Sequence, residues 1–507
     1  MRRSFVAFVL LVGCAVVRPV SMTPPLPTPP PPAYVLEVAP PGQVAAPQGT
    51  PARAAPERPQ PPLGPWWTAF GDDALDALVD EAHRHNFTLR DLRGLYHEDL
   101  LAPGMPNGPL WPLQIGLPVS VQRQNVGVAA IGNPAAPSVP GYSTAFNEAD
   151  VGIAATYQLD LWGQLDMQRK DILDQAEIQA QSAEAGAQNV AVQVANLWFD
   201  ILEQRELLTL IERQVKLNED LQALVKDRFE LHLTTRLAVL QQEQQLLNLR
   251  AAVPIIKARL ALLGSQMTGV LGRPPSPDTT LVPEDRRLPE LPSMSGVGTP
   301  ADLVKNSPEV RLAQVRVAEA EHRVSQNLSG WLPVVSLFGA AGVQAFDLTD
   351  PLDLNTRTLD NGKKGHNSYN NWSIGARLTW PIFDGGQRIT EAKQLTLTVE
   401  RRNMLYEEAF YTAVRRVQDA QIQEQRQAAN VKTLRAEVAL GQQVLDEAKQ
   451  LYEQGLSDYL AVLTAFGNLA DLERGLLLSE RLLLSYRIEL YRALGGTWSR
   501  PIAEMVH

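Results

Sequence analysis

The chain lacks most of the features that mark enzymes, disulfide-rich proteins and nucleic-acid binders. It has one cysteine among 507 residues, which excludes a disulfide framework and a cysteine-based zinc site. Its 46 basic residues, against 56 acidic ones, form no basic block, so the footprint of a nucleic-acid binder is missing. Past the N-terminus, no run reaches the roughly 18 apolar residues of a membrane helix. The lack of a long apolar run excludes a helical membrane protein. It does not exclude a membrane β-barrel, because strands of alternating apolar and polar residues have no long apolar run.

Catalytic and metal-binding patterns are also missing from the sequence. The seven histidines are scattered. His83 and His85 are two residues apart, hence on different helix faces, and we interpret them as surface residues. Gly296-Val297-Gly298 lacks the third glycine of a dinucleotide site, and no nucleophile elbow or P-loop occurs. We therefore expect no enzyme activity, no cofactor and no metal site.

The N-terminus has the form of a secretory signal. Arg2 and Arg3 precede an apolar stretch that ends at Gly13, which predicts a signal peptide over residues 1–13. The segment Leu11-Val12-Gly13-Cys14 resembles the bacterial lipobox, which implies cleavage before Cys14 and acylation of its thiol; an incidental cysteine is the alternative. Ala15, rather than aspartate, follows the cysteine, and by the same resemblance this favours the outer membrane. Between Pro19 and Pro65, 17 of 47 residues are proline, so residues 14–65 are predicted to be an extended tether.

An internal repeat organises the rest of the chain. When the sequence is laid over itself at one constant shift, Gly163-Gln164 falls on Gly386-Gln387, and Leu271-Gly272 falls on Leu494-Gly495. A constant offset over such a distance indicates two structural copies. We assign these to residues 66–272 and 301–497, with a linker at 273–300 and a C-terminal tail at 498–507.

Each copy contains two segments with strand periodicity. Residues 371–382 alternate apolar and polar side chains, and residues 151–161 do the same in the first copy. Their partners are predicted at 119–131 and 334–347. Each of these alternating segments has one apolar face and is about 11 residues long, which is the length of a tilted strand that crosses a bilayer. An ordinary soluble sheet is the alternative.

Each copy then continues into a long helical hairpin. Residues 387–454 contain no proline, which allows a helix of about 100 Å. Breaks at 231–235 and 455–458 precede return helices at 237–271 and 459–494. A spacing of 3, 4, 3, 4 along both long helices is typical of coiled-coil packing. The seam residues are Leu208, Ile211, Val215, Asn218, Gln222, Val225 and Phe229 in the first copy, and Val431, Leu434, Val438, Gly441, Leu445, Ala448 and Tyr452 in the second.

The strand count predicts assembly. One chain offers four membrane-length strands, whereas closed membrane barrels start at about eight. An open sheet in lipid would leave edge N–H and C=O groups unpaired. The predicted fold class is therefore α+β: a membrane β-barrel, with four strands per chain and twelve in a trimer, continued by a long α-helical coiled-coil tunnel in the periplasm.

Motifs at repeat spacing carry a resemblance to a known family. They are the runs Trp66–Asp72, Tyr157–Gly163, Trp380–Gln387 and Tyr452–Leu460. Together they resemble the TolC-like outer-membrane efflux factors, in the lipidated OprM/NodT-type branch, over about residues 66–497. The resemblance implies a homotrimer in outer-membrane lipid. It also implies a passive export duct that docks through a periplasmic adaptor (membrane fusion) protein onto an inner-membrane efflux pump.

The motifs also identify candidate site residues. The strand–helix junction contains Trp162, Gly163, Gly385 and Gly386, where glycine allows the chain to turn and tryptophan suits either a membrane interface or plain packing. By resemblance, the adaptor-docking tip comprises Gly455, Leu456 and Ser457, together with Leu231, Leu233 and Thr234. Asp458 matches the acidic ring of the closed periplasmic gate; a simple helix cap is the alternative.

Two departures from the family pattern stand out. His232 replaces the usual glycine of the first tip, and three prolines at 103–109 interrupt the helix that matches 318–329. The rival function is a periplasmic coiled-coil scaffold lipoprotein without a pore. The exported substrate is left open, because a shared duct owes its selectivity to the pump.

Overall fold

The computed structural model describes residues 65–100, 113–128, 142–294, 298–347, 357–359, 363–365 and 368–495. The predicted signal peptide, Cys14, the proline-rich break at 103–109 and the tail at 498–507 lie outside these residues. Within the described part, no helix combines the length and the apolar character needed to cross a membrane.

Helices and strands occur in the predicted order. A 3-10 turn at Trp66–Phe70 leads into the first helix. Asp72 caps the N-terminus of this helix, because its carboxylate accepts a hydrogen bond from the amide of Ala74 at 3.1 Å. The main elements are α1 (Asp73–His85), α2 (Phe87–Leu100), β1 (Leu113–Gly116), β2 (Val119–Val128), β3 (Tyr142–Leu159), α3 (Gln164–Glu230), α4 (Arg236–Val270), α5 (Pro308–Ser329), β4 (Val334–Asp347), β5 (Ser368–Thr379), α6 (Gln387–Glu453) and α7 (Tyr459–Ala493).

The two helical hairpins match each other residue for residue. The long helices α3 and α6 each have 67 residues, and the return helices α4 and α7 each have 35. Their first residues, Gln164 and Gln387, are related by the same shift that the sequence repeat shows. The predicted helix bounds are confirmed to within a residue or two, and α4 runs without interruption through Pro254.

Both return helices end on a glycine that no other residue could replace without strain. Gly272 and Gly495 have φ values of +74° and +73°. A Cβ atom on Gly272 would lie 2.3 Å from the carbonyl oxygen of His85, and one on Gly495 would lie 2.4 Å from that of Asn306. The repeated Leu-Gly pair therefore marks the place where each return helix packs against the end of an earlier helix, which is α1 for Gly272 and the short helix Leu303–Asn306 for Gly495.

The chain divides into two compact units, and the first contains the sheet. This unit covers Asp99–Gln175 and Ala318–Glu400. Strands β3, β4 and β5 pair antiparallel in that order, and β1 and β2 follow one another along the free edge of β3. The sheet therefore has four strand positions, as predicted, with the first one interrupted at Leu117 and Pro118.

Two of the strands end earlier than their alternating pattern suggests. We predicted a strand over 371–382, but β5 spans Ser368–Thr379, and Trp380 and Ile382 follow it. Pro381 has no N–H group for the ladder, so pairing stops before it. In the first copy β3 ends at Leu159, and Leu161 likewise lies past the strand.

The second unit holds most of the helices and the buried core. All seven predicted seam residues of α6 are buried or half-buried, from Val431 to Tyr452. The seam of α3 is confirmed except at Phe229, which is exposed. Buried side chains from α3, α4, α6 and α7 form one continuous cluster along this seam, which agrees with coiled-coil packing.

Charged side chains hold the segment between the two copies against the helices. Arg205 on α3 donates to the carbonyl oxygens of Pro283 and Thr279 at 2.9 and 2.6 Å. Glu206 accepts from the amide of Leu288 at 2.7 Å. These bonds satisfy the backbone of a segment that has no regular structure of its own.

Candidate functional site

One face of the sheet is predominantly apolar and largely exposed, with Asn370, the register partner of Val343, as a polar exception. Register partners share a face, so the strand pairing places these residues together. Ile374 at the middle of β5 is 81% exposed. The face consists of Leu113, Ile115, Val119, Val121, Val151, Ile153, Ala155, Tyr157, Leu159, Val335, Leu337, Gly339, Ala341, Val343, Trp372, Ile374, Ala376 and Leu378. An exposed apolar surface of this extent is unfavourable in water and suits lipid.

The opposite face carries most of the polar side chains of the sheet. Glu148 on β3 accepts a hydrogen bond from Gln122 at 2.8 Å and also binds Gln344. Ser120 donates to Asp150 at 3.3 Å, and the guanidinium of Arg377 lies over the Phe338 ring. A sheet with one apolar and one hydrogen-bonded polar face is typical of a wall between lipid and water.

Aspartates cap both long helices at the strand–helix junction. Asp160 accepts hydrogen bonds from the amides of Leu165 and Asp166, both at 3.2 Å. Asp384 accepts from Gly386 and Arg388 at 3.1 and 3.3 Å. The predicted glycines Gly163, Gly385 and Gly386 all have positive φ values, which supports their role in the turn. Sequence analysis missed these caps, although an aspartate just before each helix was a visible signal.

The two junction tryptophans fix one turn. The indole N–H of Trp162 donates to the carbonyl oxygen of Pro333 at 2.8 Å, and that of Trp380 donates to Trp331 at 3.3 Å. Arg388 adds a bond to Gly330 at 3.3 Å. Tryptophans from both repeats therefore bind the same turn, the one between α5 and β4. Just beyond Trp380, Ile382 and Phe383 are 86% and 89% exposed, which continues the apolar surface past the end of β5.

The two hairpin tips have the same backbone path. The amide of Leu456 bonds to the carbonyl oxygen of Leu451 at 2.9 Å, and that of Leu233 bonds to Arg228 at 2.8 Å, as in a Schellman motif. Gly455 occupies the left-handed position of the second tip, with φ +76°, and His232 occupies it in the first, with φ +58°. A non-glycine residue there costs roughly 1–2 kcal/mol. The first tip therefore keeps the turn in spite of its histidine.

The predicted docking residues lie on these tips. Leu231, Leu233 and Leu456 are exposed, and Leu456 reaches 72%. Thr234 and Ser457 are half-buried. The two turns therefore present three leucine side chains to solvent.

Asp458 acts as a helix cap. Its carboxylate accepts a hydrogen bond from the amide of Ala461 at 3.2 Å, and Thr235 accepts from Ala238 at 3.3 Å at the matching position of the first tip. The cap that the sequence offered as an alternative is therefore present. Capping uses one carboxylate oxygen and leaves the charge exposed, so it does not exclude a second role.

An arginine that sequence analysis missed ties the tips together. Arg228 near the end of α3 donates to the carbonyl oxygens of Tyr452 and Glu453 at 2.6 and 3.2 Å. Its guanidinium lies 4.6 Å from the centroid of the Tyr452 ring. A cation at the C-terminus of α6 satisfies free carbonyls and complements the helix dipole. No local sequence signal identifies this contact, because its partners lie in the other copy of the repeat.

Polar side chains are also buried between the hairpins. Gln242 on α4 donates to the backbone carbonyl of Asn218 on α3 at 2.7 Å and accepts from the hydroxyl of Tyr459 on α7. Nearby on α3, the side-chain amide of Gln214 donates a hydrogen bond to the carboxylate of Glu473 on α7 at 2.8 Å. Burial raises the pKa of Tyr459, so its hydroxyl stays a donor. Such buried bonds fix one register between helices.

His83 is buried, contrary to the surface interpretation. Its Nε2 lies 2.9 Å from the carbonyl oxygen of Ala187, and its ring packs on Trp67 at 5.4 Å. Burial, with a smaller contribution from the charge of Arg93, lowers the pKa of His83 to about 4 in spite of the contact to Ala187.

This buried histidine gives a pH prediction. Between pH 6.5 and 4 the unfolded chain binds a proton at residue 83 that the folded chain does not. The free energy of unfolding is therefore expected to fall as the pH drops through this window, by up to about 1.4 kcal/mol per pH unit. Denaturant titrations at several pH values measure it. His83→Gln should flatten the curve and the exposed His85→Gln should not; an unchanged curve in His83→Gln contradicts the assignment.

Among the described residues, no group of three histidine, cysteine, aspartate or glutamate side chains is placed to hold a metal ion. Lipidation at Cys14 lies outside these residues.

A lipid-facing sheet, long helical hairpins and exposed tips define the class of outer-membrane channel components. The model of the family "Outer membrane efflux protein" matches residues 110–268 and 299–496. The chain belongs to this family, and it is an outer-membrane efflux protein.

Known proteins agree with this assignment. The pyoverdine export outer membrane protein OpmQ of Pseudomonas putida is 25% identical over 487 residues, which cover 93% of this chain and 94% of OpmQ. Nodulation protein T of Rhizobium leguminosarum bv. trifolii is 20% identical, over 79% of this chain and 80% of its own. The CmeC outer membrane channel of Campylobacter jejuni has the same fold, with a TM-score of 0.71 at 16% identity over 91% of this chain and 96% of CmeC. The predicted family and fold class are confirmed.

Proposed function

We propose that three copies of the chain form a passive export duct in the outer membrane, which docks through a periplasmic adaptor onto an inner-membrane pump. The observation that carries this proposal is the four-stranded sheet, with its apolar face and its two edges, β1–β2 on one side and β5 on the other. An open sheet edge in lipid leaves backbone groups unpaired at several kcal/mol each, so closure requires further copies. Three copies supply twelve strands.

The native mass of detergent-extracted protein, corrected for bound detergent, tests the assembly. We expect three times the chain mass, and ion conductance after reconstitution into planar bilayers. A monomer without conductance would instead favour the periplasmic scaffold, the function that competes with a duct.

The exposed tip leucines support docking to the periplasmic adaptor. Replacing Leu456 with aspartate is expected to reduce recovery of a coexpressed adaptor by tenfold or more, because the charge would be desolvated in the contact. Leu478→Asp, on the exposed side of α7 away from the tip, serves as the control. Equal recovery from both variants would remove the tip from the docking surface.

We further propose that Asp458 contributes a ring of three carboxylates that narrows and charges the periplasmic aperture. Asp458→Ala also removes the cap of α7, so Asp458→Asn isolates the charge, since asparagine caps equally well. In bilayers, Asp458→Asn is expected to lower the cation preference and raise the leak conductance. Asp446→Asn on α6 is the matched control. A conductance equal to that of the native channel would leave Asp458 with its capping role alone.

Acylation at Cys14 would add a lipid anchor through the tether at 14–65. This part of the proposal depends on the lipobox resemblance. Mass spectrometry of the N-terminal peptide from the mature protein tests it, and an unmodified cysteine or an uncleaved signal would refute it. The absence of catalytic chemistry belongs to the same proposal, since a duct only conducts.

A further inference from the structure

The face of the sheet opposite the apolar surface carries a single positive charge. Among the residues of β1 to β5 that the structure describes, Arg377 is the one arginine, lysine or histidine whose register places it on this face. It pairs with Ser336 on β4, which in turn pairs with Gln158 on β3, so the three residues form one row across the sheet. The row lies at the end of β5 that continues into α6.

Two neighbouring residues hold this arginine in place. Phe338 on β4 pairs with Gly375 on β5, and a Cβ atom at residue 375 would lie 2.7 Å from the Cζ atom of the Phe338 ring. Because glycine leaves this space free, the ring reaches over β5, and the guanidinium of Arg377 lies 5.5 Å from the ring centroid. Phe338 is half-buried and Arg377 is exposed. The strand pairing therefore supports a guanidinium that faces water.

The carboxylates on the same face lie far from this charge. Arg377 forms no ion pair within the part of the chain that the structure describes, and the ring beneath it is neutral. Glu148 and Asp150 lie toward the other end of β3. Asp150 is separated from Gln158, which lies in the Arg377 row, by about 26 Å of strand. The positive charge is therefore not cancelled within the sheet.

The aspartates of the strand–helix junction are engaged elsewhere. Asp160 accepts hydrogen bonds from two amides at the start of α3, and Asp384 does so at the start of α6. Asp384 also pairs with Arg388 at 3.0 Å. The donors of Arg377 therefore stay available for a ligand. A guanidinium is preorganised for a carboxylate, which it binds through two parallel hydrogen bonds.

We propose that Arg377 and Phe338 form a binding site for aromatic carboxylates inside the duct. The guanidinium binds the carboxylate, and the half-buried Phe338 ring gives the ring of the ligand an apolar surface beside it. Three copies repeat the site around the lumen. This inference rests on the duct proposed above, because only a closed barrel turns the face that carries Arg377 toward a water-filled lumen. The channel then binds one class of substrate itself, rather than leaving all selection to the pump.

Block of the ion current by benzoate tests the site. The full-length protein is reconstituted into planar bilayers in potassium chloride, and the benzoate concentration that halves the current is measured. Benzamide has the ring without the charge, and cyclohexanecarboxylate has the charge without an aromatic ring. We expect benzoate to block at the lowest concentration of the three. Arg377→Gln should raise the half-blocking concentration of benzoate about tenfold, because hydrogen bonds to a charged group are lost.

Three further variants make the result specific. Arg377→Lys keeps the charge but not the planar fork, so its half-blocking concentration should fall between those of the native protein and Arg377→Gln. Phe338→Leu should still be blocked but should lose the preference for benzoate over cyclohexanecarboxylate. Arg435→Gln removes an exposed positive charge from α6 and should leave the benzoate value unchanged. Equal half-blocking concentrations in the native protein and Arg377→Gln overturn the site, and so does equal block by benzamide and benzoate.

Failure of the site and failure of the duct give different results. A trimer that conducts potassium chloride but is not blocked by benzoate overturns this inference and leaves the duct. A native protein that forms neither trimer nor channel overturns both. If Arg377→Gln alone loses the native mass of three chains, the guanidinium is engaged between copies, and the ligand site is overturned.

Discussion

Replacing Ile374 with arginine is expected to abolish assembly in the outer membrane. Ile374 lies in the middle of β5 on the apolar face, opposite Gly339, and 81% of it is exposed. An arginine on the lipid face of a barrel costs about 2–4 kcal/mol at the middle of the bilayer. Three copies would place three such charges in lipid, so we expect no detectable trimer in detergent extracts of outer membranes. Leu378→Arg, further along the same face, should act in the same direction.

Ser373→Arg supplies the matched control, because this neighbour lies on the polar face of the same strand, opposite Ala340. An arginine there would face water, and the trimer yield should stay close to that of the native protein. The comparison removes strand propensity and side-chain size as explanations, since both variants place the same residue in one strand. Equal yields from Ile374→Arg and Ser373→Arg would refute the lipid-facing role of the apolar surface.

The sequence predicted the elements whose signals are periodic. The strand at 371–382 alternates at every position, and the seam from Val431 to Tyr452 keeps its 3, 4 spacing throughout, so local periodicity was sufficient for these elements. The constant shift between the two copies added a second line of evidence, because each long helix had a counterpart of equal length. The predicted strand end was wrong where a local break interrupts the alternating pattern. At Pro381 the missing N–H group ends β5 before Ile382.

The contacts that sequence analysis missed are those between distant segments. Arg228 binds the end of α6, Trp162 binds Pro333, and Gln242 joins Tyr459 to Asn218, each through partners that no local sequence pattern connects. Burial of His83 was missed for the same reason, since its partner Ala187 lies on a different helix, far along the chain. Residue type identifies a polar group, but only the folded chain decides whether it is buried and satisfied.

A buried ion pair between the two helices of the second hairpin is expected to dominate its stability. Arg487 on α7 makes a bidentate contact to Glu424 on α6, with both N–O distances at 2.7 Å, and also donates to the carbonyl oxygen of Pro292. Its side chain is only 5% exposed. Arg487→Met fills similar space but leaves Glu424 without its partner, and breaking a buried pair from one side costs about 3–5 kcal/mol.

Arg435→Met is the matched control, because Arg435 also joins α6 to α7, at 2.9 Å from Glu480, but is 58% exposed. Its loss should cost no more than about 1 kcal/mol, since water screens the pair. Denaturant unfolding in detergent, followed by far-ultraviolet circular dichroism, measures both. The double variant Arg487→Met with Glu424→Gln should recover part of the loss, because no buried charge remains unpaired. If Arg487→Met and Arg435→Met destabilise the protein equally, burial is not what makes the Arg487–Glu424 pair important.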